Sequence, residues 1–203
     1  METALGLRER KKIATKLALH ESAMRLSVEH GYDTVTVEAI ADAAGVSRRT
    51  FSNYFASKEE AMLHGDSMRL YALLDAVAAR PDEESAWTAL REGTATVLRE
   101  LRQRRRDRSD SPDWLTRARV IRSHPALLAE QVATYASFER TLAVEIARRT
   151  PEESRSVTRV RVVAACFLAA LRVGTQAWLD RGDDTSAAEF IDQALVEAGQ
   201  AFP

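Results

Sequence analysis

The stretch AGVSRRTFSNYF, Ala44–Phe55, decides how this chain is read. Gly45 interrupts a run of helix formers. Ser47, a favoured helix N-cap, follows two residues later. Phe51 and Phe55 are four apart and share one face of the helix that Ser47 starts, which the spacing carries through Tyr54. Arg48, Arg49, Thr50 and Asn53 are left for the other faces. Just upstream, Thr36 caps a short helix with Val37, Ile40, Ala41 and Ala44 as its apolar stripe, and Val46 fills the corner after Gly45. Helix, glycine turn, helix is the spacing of a helix-turn-helix unit.

Outward from this unit the pattern stays helical. A long first helix starts at Arg8, with Ile13, Leu17, Met24 and Val28 on one face and His20 or Glu21 where that face turns, and Gly31 closes it in a left-handed conformation. Downstream, Ser57 and Glu60 form a capping box that opens a fourth helix to Arg80, where Pro81 stops it. A fifth helix spans Glu83 to Arg106, followed by the polar break RDRSDSPD. A sixth runs from Pro112 to Arg122, and a seventh from Pro125 at its first position to Arg149. TPEE starts an eighth that ends near DRGDD, and Ser186 with Glu189 boxes a ninth that ends at Gln200. No strand pattern, repeat or low-complexity segment interrupts this reading. The expected fold is all-α, with about nine helices. Residues 1–56 make a three-helix domain that holds the helix-turn-helix, and residues 57–203 a larger helical domain.

Composition sets limits. The 203 residues are 45% apolar and 29% charged, as in a soluble globular protein. The net charge of −1 advertises no polyanion partner, but all four lysines lie before residue 59. Up to Lys58 there are nine basic against seven acidic residues, and beyond it 20 against 23, a mild asymmetry. Cys166, the one cysteine, excludes an intramolecular disulfide and reads as a buried structural thiol within VVAACFLAAL. That run is short of the ~20 residues that span a bilayer, and METALGLRERKK lacks the apolar core of a secretory signal. A cytoplasmic protein without membrane contact is expected. For an enzyme, a site is missing. His20, His30, His64 and His124 show no metal-ligand spacing and read as surface or cap residues. There is no HExxH, cysteine pair, GxSxG or glycine-rich phosphate loop. No catalytic residue, metal or cofactor is assigned.

The helix-turn-helix supports a different chemistry. The major groove of B-DNA, ~12 Å wide, admits one helix, and residues near that helix's N-terminus reach base edges. Here those residues are Ser47, Arg48, Arg49, Thr50 and Asn53. Tyr54 and Lys58 suit phosphates, and Thr36 offers a phosphate its backbone N–H and hydroxyl at a helix start. Two arginines at a helix N-terminus oppose the macrodipole, a small cost that a nucleic-acid partner offsets.

The segment TVEAIADAAGVSRRTFSNYFASKEEAML, residues 36–63, resembles the DNA-binding domain of the TetR family of transcriptional regulators. The matching residues are Thr36, Ile40, Ala41, Ala44, Gly45, Val46, Ser47, Thr50, Tyr54, Phe55, Lys58 and Glu59. Arg49 stands where the family often has a small residue and Ser52 where a tyrosine is common, so no operator sequence carries over. The resemblance implies a homodimer on a double-stranded DNA operator and a small-molecule effector of unknown identity.

In the C-terminal part, Ala164, Phe167, Leu171, Gly174 and Trp178 form a stripe on the eighth helix, and the ninth offers Phe190, Ile191, Ala194 and Leu195. Taken singly these suit core packing. The family pairs its last two helices across a dimer, which implies an interface of Phe167, Leu171, Gly174, Trp178, Phe190, Ala194 and Leu195. The family also implies a pocket among Leu73, Val77, Trp87, Leu90, Val97, Leu115, Arg119, Arg122, Tyr135, Phe138 and Arg172, residues that by themselves read as ordinary core. RARVIRSHPALLAEQ and LAALRVGTQAWLDRG resemble the C-terminal domain of mycofactocin-type regulators, a branch associated with long-chain acyl-CoA effectors. The run RELRQRRRDR, Arg99–Arg108, is then either a partner for a CoA phosphate or a solvated helix end. The expected protein is a ligand-responsive repressor on a palindromic operator, released by a small apolar or amphipathic effector. The alternatives are a constitutive helical DNA-binding or scaffolding protein and, behind it, an enzyme.

Overall fold

A computed structural model describes residues 6–106, 114–181 and 186–200, with backbone alone for 104–106, 114 and 115. The helices are α1 Leu7–His30, α2 Val37–Ala43, α3 Arg48–Ser52, α4 Lys58–Ala78, α5 Ala86–Arg106, α6 Trp114–Ser123, α7 Pro125–Arg149, α8 Val157–Arg181 and α9 Ala187–Gly199. Short 3-10 turns lie at Tyr32–Thr34 and Glu152–Ser154, and no strand occurs among the described residues. The fold is all-α.

Several boundaries differ from the sequence reading, each for a local reason. Ser85 caps α5 through the Thr88 N–H at 3.2 Å, so that helix starts after Glu83. Residues 152–154 form a 3-10 turn, and α8 waits for Ser156, which accepts from the Arg159 N–H at 3.0 Å. Ser186 makes no side-chain cap, because the Glu189 N–H bonds its carbonyl instead. The capping box of α4 forms, but Glu60 reaches back to the N–H of Ala56 at 2.6 Å while Ser57 accepts from Glu60 at 3.1 Å. Gly31 has a positive φ of 85° but a ψ of 144°, which is not the left-handed helical conformation. The polar break at 107–113 and the Pro112 start lie outside the described residues.

Two compact units divide the chain. One is Met1–Asp66 with Asp110–Gln131, the other Ser67–Ser109 with Val132–Pro203. The first thus reaches beyond residue 56 and recruits Ile121 and Leu127 into the core of Leu19, Met24, Ile40, Phe51, Phe55 and Met62. Along α1 the buried line is Leu19, His20, Ala23, Met24 and Ser27. Of the expected stripe only Met24 is buried; Leu17 is half-buried, while Ile13 and Val28 are 45% and 36% exposed. Periodicity alone could not weigh in His20 and Ser27, whose polar atoms are satisfied inside. His20 Nδ1 lies 2.9 Å from the Ala61 carbonyl, and Ser27 donates to the Ala23 carbonyl at 2.8 Å. A buried polar group needs such a partner.

Tyr32 fastens the loop after α1 to the start of α4. Its hydroxyl donates to the Glu59 carboxylate. The Lys58 ammonium stands 4.1 Å from its ring centre and the His124 ring 4.4 Å. Lys58 also donates to the carbonyls of Tyr32 and Val35, each at 3.0 Å. Burial, with Glu59 as acceptor, pushes the Tyr32 phenol up to about 12. Burial alone would raise the Glu59 carboxyl, but the Tyr32 hydroxyl and other donors outweigh it and hold the group below its usual range.

In the second unit, Leu73, Val77, Leu90, Phe138, Leu142, Ile146, Ala164, Phe167, Ile191 and Leu195 form one core. Helices α8 and α9 cross at Gly174, where a Cβ would stand 2.6 Å from the Ile191 Cα. The Trp87 indole donates to the Leu195 carbonyl at 3.1 Å, and Arg91 forks onto Asp192 at 2.6 and 3.0 Å. Buried Arg149 donates to the carbonyls of Val77, Arg80 and Pro81 and to Glu145, which caps the C-terminal end of α4. Removing one member of a buried charged cluster of this kind costs about 3–5 kcal/mol.

The Tyr32 lock makes a pH prediction. A phenol whose folded pKa exceeds its unfolded value of about 10 contributes stability that is whole below pH 10. That contribution is lost as pH rises through about 12. Urea midpoints of the native protein should therefore fall from pH 9.5 to 12, and Tyr32→Phe should show a shallower fall. Parallel curves would show that the phenol does not carry the effect.

Candidate nucleic-acid interface

The site is built from α2, the turn and α3. Thr36 Oγ1 accepts the Ala39 N–H at 3.1 Å and starts α2. At its end Gly45, with φ 68°, takes the conformation that side-chain-bearing residues avoid. The Val46 N–H then bonds the Ala41 carbonyl and the Gly45 N–H the Asp42 carbonyl, both at 3.0 Å, a Schellman closure that turns the chain sharply. Ser47 Oγ accepts the Thr50 N–H at 3.1 Å and meets Thr50 Oγ1 at 2.9 Å. Helix α3 ends at Ser52, shorter than expected, because the Tyr54 N–H closes a tighter turn on the Phe51 carbonyl at 2.8 Å. Even so, the Phe55 N–H still bonds the Phe51 carbonyl at 3.0 Å.

Phe51 and Phe55 are 1% and 2% exposed, with ring centres 5.8 Å apart. Their burial decides which way the rest of α3 faces. Thr36, Ser47, Arg48, Arg49 and Asn53 are exposed; Thr50, Tyr54 and Lys58 are half-buried. Arg48 pairs with Glu38 of α2 at 3.1 Å, both well exposed, a contact worth at most about 1 kcal/mol and easily exchanged. Tyr54 packs against the core. Two of the three ammonium hydrogens of Lys58 are engaged by the Tyr32 and Val35 carbonyls, so this side chain serves the fold as well. Sequence reading missed Lys16 of α1, whose ammonium lies 5.2 Å from the Phe55 ring centre, and His64, whose ring centre is 5.4 Å from it. Burial, helped by Lys16, holds the His64 imidazole below its usual value. Both residues follow the helical rows that bury Leu19 and Ala61, the signal that could have found them.

The other expected sites divide. Leu73, Val77, Trp87, Leu90, Val97 and Phe138 join the second unit's core, with Tyr135 packed on it. Arg172 is exposed, and Arg119 and Arg122, in the first unit, are exposed as well. The side chain of Leu115, and those of the arginine run from 104 onward, lie outside the described residues. Of the expected interface, Phe167, Gly174, Trp178 and Leu195 are buried within the chain, while Leu171, Phe190 and Ala194 are half-buried. What α8 and α9 expose instead is an open groove of about 640 Å³, lined by Cys166, Ala169, Val173, Ala177, Phe190, Ala194 and neighbours. Cys166 is therefore half-buried on a surface, not sealed in the core. His20 is buried, contrary to the surface reading, with Nε2 3.4 Å from Arg117 Nη1.

Among the described residues no three His, Cys, Asp or Glu gather to hold a metal. Among the described residues, helix α8 alone is long and apolar enough by composition to cross a membrane, but Val160, Val163, Ala164, Phe167 and Leu168 are buried within the second unit.

Comparison with known proteins identifies the architecture. Residues 19–63 match the profile described as bacterial regulatory proteins, tetR family, and residues 84–203 the profile described as MftR C-terminal domain. The HTH-type transcriptional regulator TcmR of Streptomyces glaucescens is 35% identical over 178 residues, covering 88% of this chain and 79% of that protein. The HTH-type transcriptional repressor Rv1474c of Mycobacterium tuberculosis is 30% identical over 186 residues, covering 84% and 85%. Among solved structures, the Thermus thermophilus FadR complex with lauroyl-CoA shares the fold at a TM-score of 0.54 and 18% identity, over 93% of this chain and 95% of that one. With the profile matches spanning both units and a helix-turn-helix of the required geometry, the chain belongs to the TetR family of transcriptional regulators.

Proposed function

We propose that this regulator is a homodimeric repressor that binds a palindromic DNA operator and is released by a small apolar or amphipathic effector. The observation that carries the DNA reading is the orientation of α3. With Phe51 and Phe55 buried, Ser47, Arg48, Arg49 and Asn53 are left on the exposed faces. Arg49 and Arg48 donate to guanine edges, where a bidentate contact discriminates by about 1–3 kcal/mol. Thr36, Thr50, Tyr54 and the third hydrogen of Lys58 take phosphates. Repression follows from occupancy alone, since a bound dimer blocks polymerase without further contacts. Nothing in this chemistry calls for catalysis, and its relatives are regulators. Such a protein works in the cytoplasm, where the DNA is.

The partner copy packs on the groove between α8 and α9. Support comes from the apolar residues these helices leave open, with Val162 46% and Val173 51% exposed, beside small Ala165, Ala169 and Ala177. Small side chains let helices approach closely while Phe190 and Leu171 fill the remaining space. Dimerisation gives two recognition helices for half-sites ~34–36 Å apart.

The effector binds in the second unit, among Leu73, Val77, Trp87, Leu90, Val97, Tyr135 and Phe138, with Arg172 available to an anionic group. Long-chain acyl-CoA is the class to test first. The MftR-type C-terminal domain and the lauroyl-CoA carried by a protein of the same fold support it. Helix α4 runs continuously through residues of both units, so a ligand that shifts it alters the presentation of α3. A protein that no acyl-CoA releases from DNA would instead be the constitutive binder.

Selection of duplexes from a random pool should return a two-fold symmetric site, and Arg49→Ala should relax preference at one base position per half-site. Recovery of no enriched sequence overturns the DNA reading; an unaltered site overturns the role of Arg49. Lys58→Ala should lower the thermal midpoint, because two carbonyls lose their donor at about 1–3 kcal/mol in total. It should also flatten the dependence of log K on log salt by about one unit. A lower midpoint with an unchanged slope would confine Lys58 to the fold. Val173→Arg, on the exposed groove, should sediment as a monomer with its helix content retained. A dimeric variant would move the interface elsewhere.

A further inference from the structure

We propose that the first three turns of α1, Leu7–Ala18, are a cationic arm that grips DNA phosphates beyond the helix-turn-helix, an inference that rests on the DNA-binding reading above. The arm carries Arg8, Arg10, Lys11, Lys12 and Lys16 against Glu9 alone, five against one, or +4 in a chain whose net charge is −1. Apart from Lys16, which stands over the Phe55 ring, packing does not account for these charges. Residues 7–14 are exposed and 15–18 half-buried, and full burial begins only at Leu19. The match to the family's DNA-binding domain begins at the same residue. Arg8 and Arg10 in the opening turn also oppose the helix macrodipole, which favours only Glu9 there. The twelve residues extend the helix by about 18 Å, the first eight of them exposed.

The direction of the arm is set by helical geometry. Arg8, Lys12 and Lys16 follow one another at four-residue steps, forming a single row with about 6 Å between neighbours along the axis. At the inner end of the row, the Lys16 ammonium stands 5.2 Å from the ring centre of Phe55, three residues past the end of α3. The row therefore starts beside the recognition helix and leads outward, with Lys11 flanking it. Its one internal ion pair, Lys12 with Glu9 at 3.6 Å, is about half exposed on both sides and yields readily to a phosphate.

The surface suits a polyanion rather than a lipid bilayer. An interfacial helix needs an apolar face to bury. Here the large exposed apolar residues, Leu7 and Ile13, are six positions apart and point about 120° away from each other. Phosphate contacts by such an arm strengthen binding to every sequence and add none of the discrimination, which stays with α3.

The test uses the full chain with Arg8→Gln, Lys11→Gln and Lys12→Gln combined, none of them in the helix-turn-helix. Circular dichroism and thermal midpoint should match the native protein. Affinity for the pool-selected duplex at 0.15 M NaCl should fall about ten-fold, the slope of log K against log salt should become shallower by about two or more, and the selected sequence should not change. Arg8→Lys with Lys11→Arg and Lys12→Arg should restore the native slope. A native slope in the glutamine variant overturns the arm while leaving the helix-turn-helix reading intact. Failure of the native protein to bind any duplex overturns that reading itself. Arm-dependent binding to phosphatidylserine–phosphatidylcholine vesicles, with an unchanged DNA slope, would assign the charges to lipid and refute the proposal.

Discussion

The burial of Phe51 and Phe55 is the constraint on which the DNA-facing side of this molecule depends. A five-residue helix such as α3 has no stability of its own, because nucleation costs more than so few hydrogen bonds return. It persists because Ser47 caps one end, Gly45 sets the entry angle, and the two rings are held from the other side by Leu19, Met24, Ile40 and Met62. Fully burying an aromatic ring of this size contributes about 1.5–3 kcal/mol. The same burial removes one face of α3 from choice and leaves Arg48, Arg49 and Asn53 exposed, Arg48 beside Glu38. The core chooses the rotation of the helix, and the rotation chooses which side chains stay exposed.

The surroundings of that helix are built to keep it still. Lys58 spans from the first turn of α4 to two carbonyls of the loop before α2, and Tyr32 ties that loop to Glu59. His124 on the Tyr32 ring, and Ile121 and Leu127 in the core, make residues beyond position 110 part of the same unit. The regulator's first unit is thus not a self-contained stretch of sequence. In the second unit, Arg149 secures the end of α4 through backbone carbonyls, and the close crossing at Gly174 brings α8 and α9 together. The face these two helices leave open is apolar and grooved.

Much of this was legible in the one-dimensional pattern. Thr36, Ser47 and Ser57 announced three helix starts through local capping chemistry, and Pro125 marked the first position of α7. Such signals survive because they involve neighbours within four residues. The errors fell where partners are distant. The buried line of α1 includes His20 and Ser27, which no apolar periodicity would select, and excludes Ile13. Phe167, Trp178 and Leu195 look identical in sequence whether they face another helix of the same chain or a second copy; only their burial separates them from exposed Val162 and Val173.

By itself, then, the order of residues determined the helices, the glycine turn and the pair of rings that orient α3, because hydrogen bonds and side-chain rows within a few residues specify each of these. Tertiary structure alone decided that Lys58 grips two carbonyls, that residues from α6 and α7 complete the N-terminal core, and that the first turns of α1 stand clear of it. The physical reason is range. A cap or a turn is settled between neighbours, whereas the partner of a lysine or the exposure of a helix face depends on chain brought back from 20 to 100 residues away.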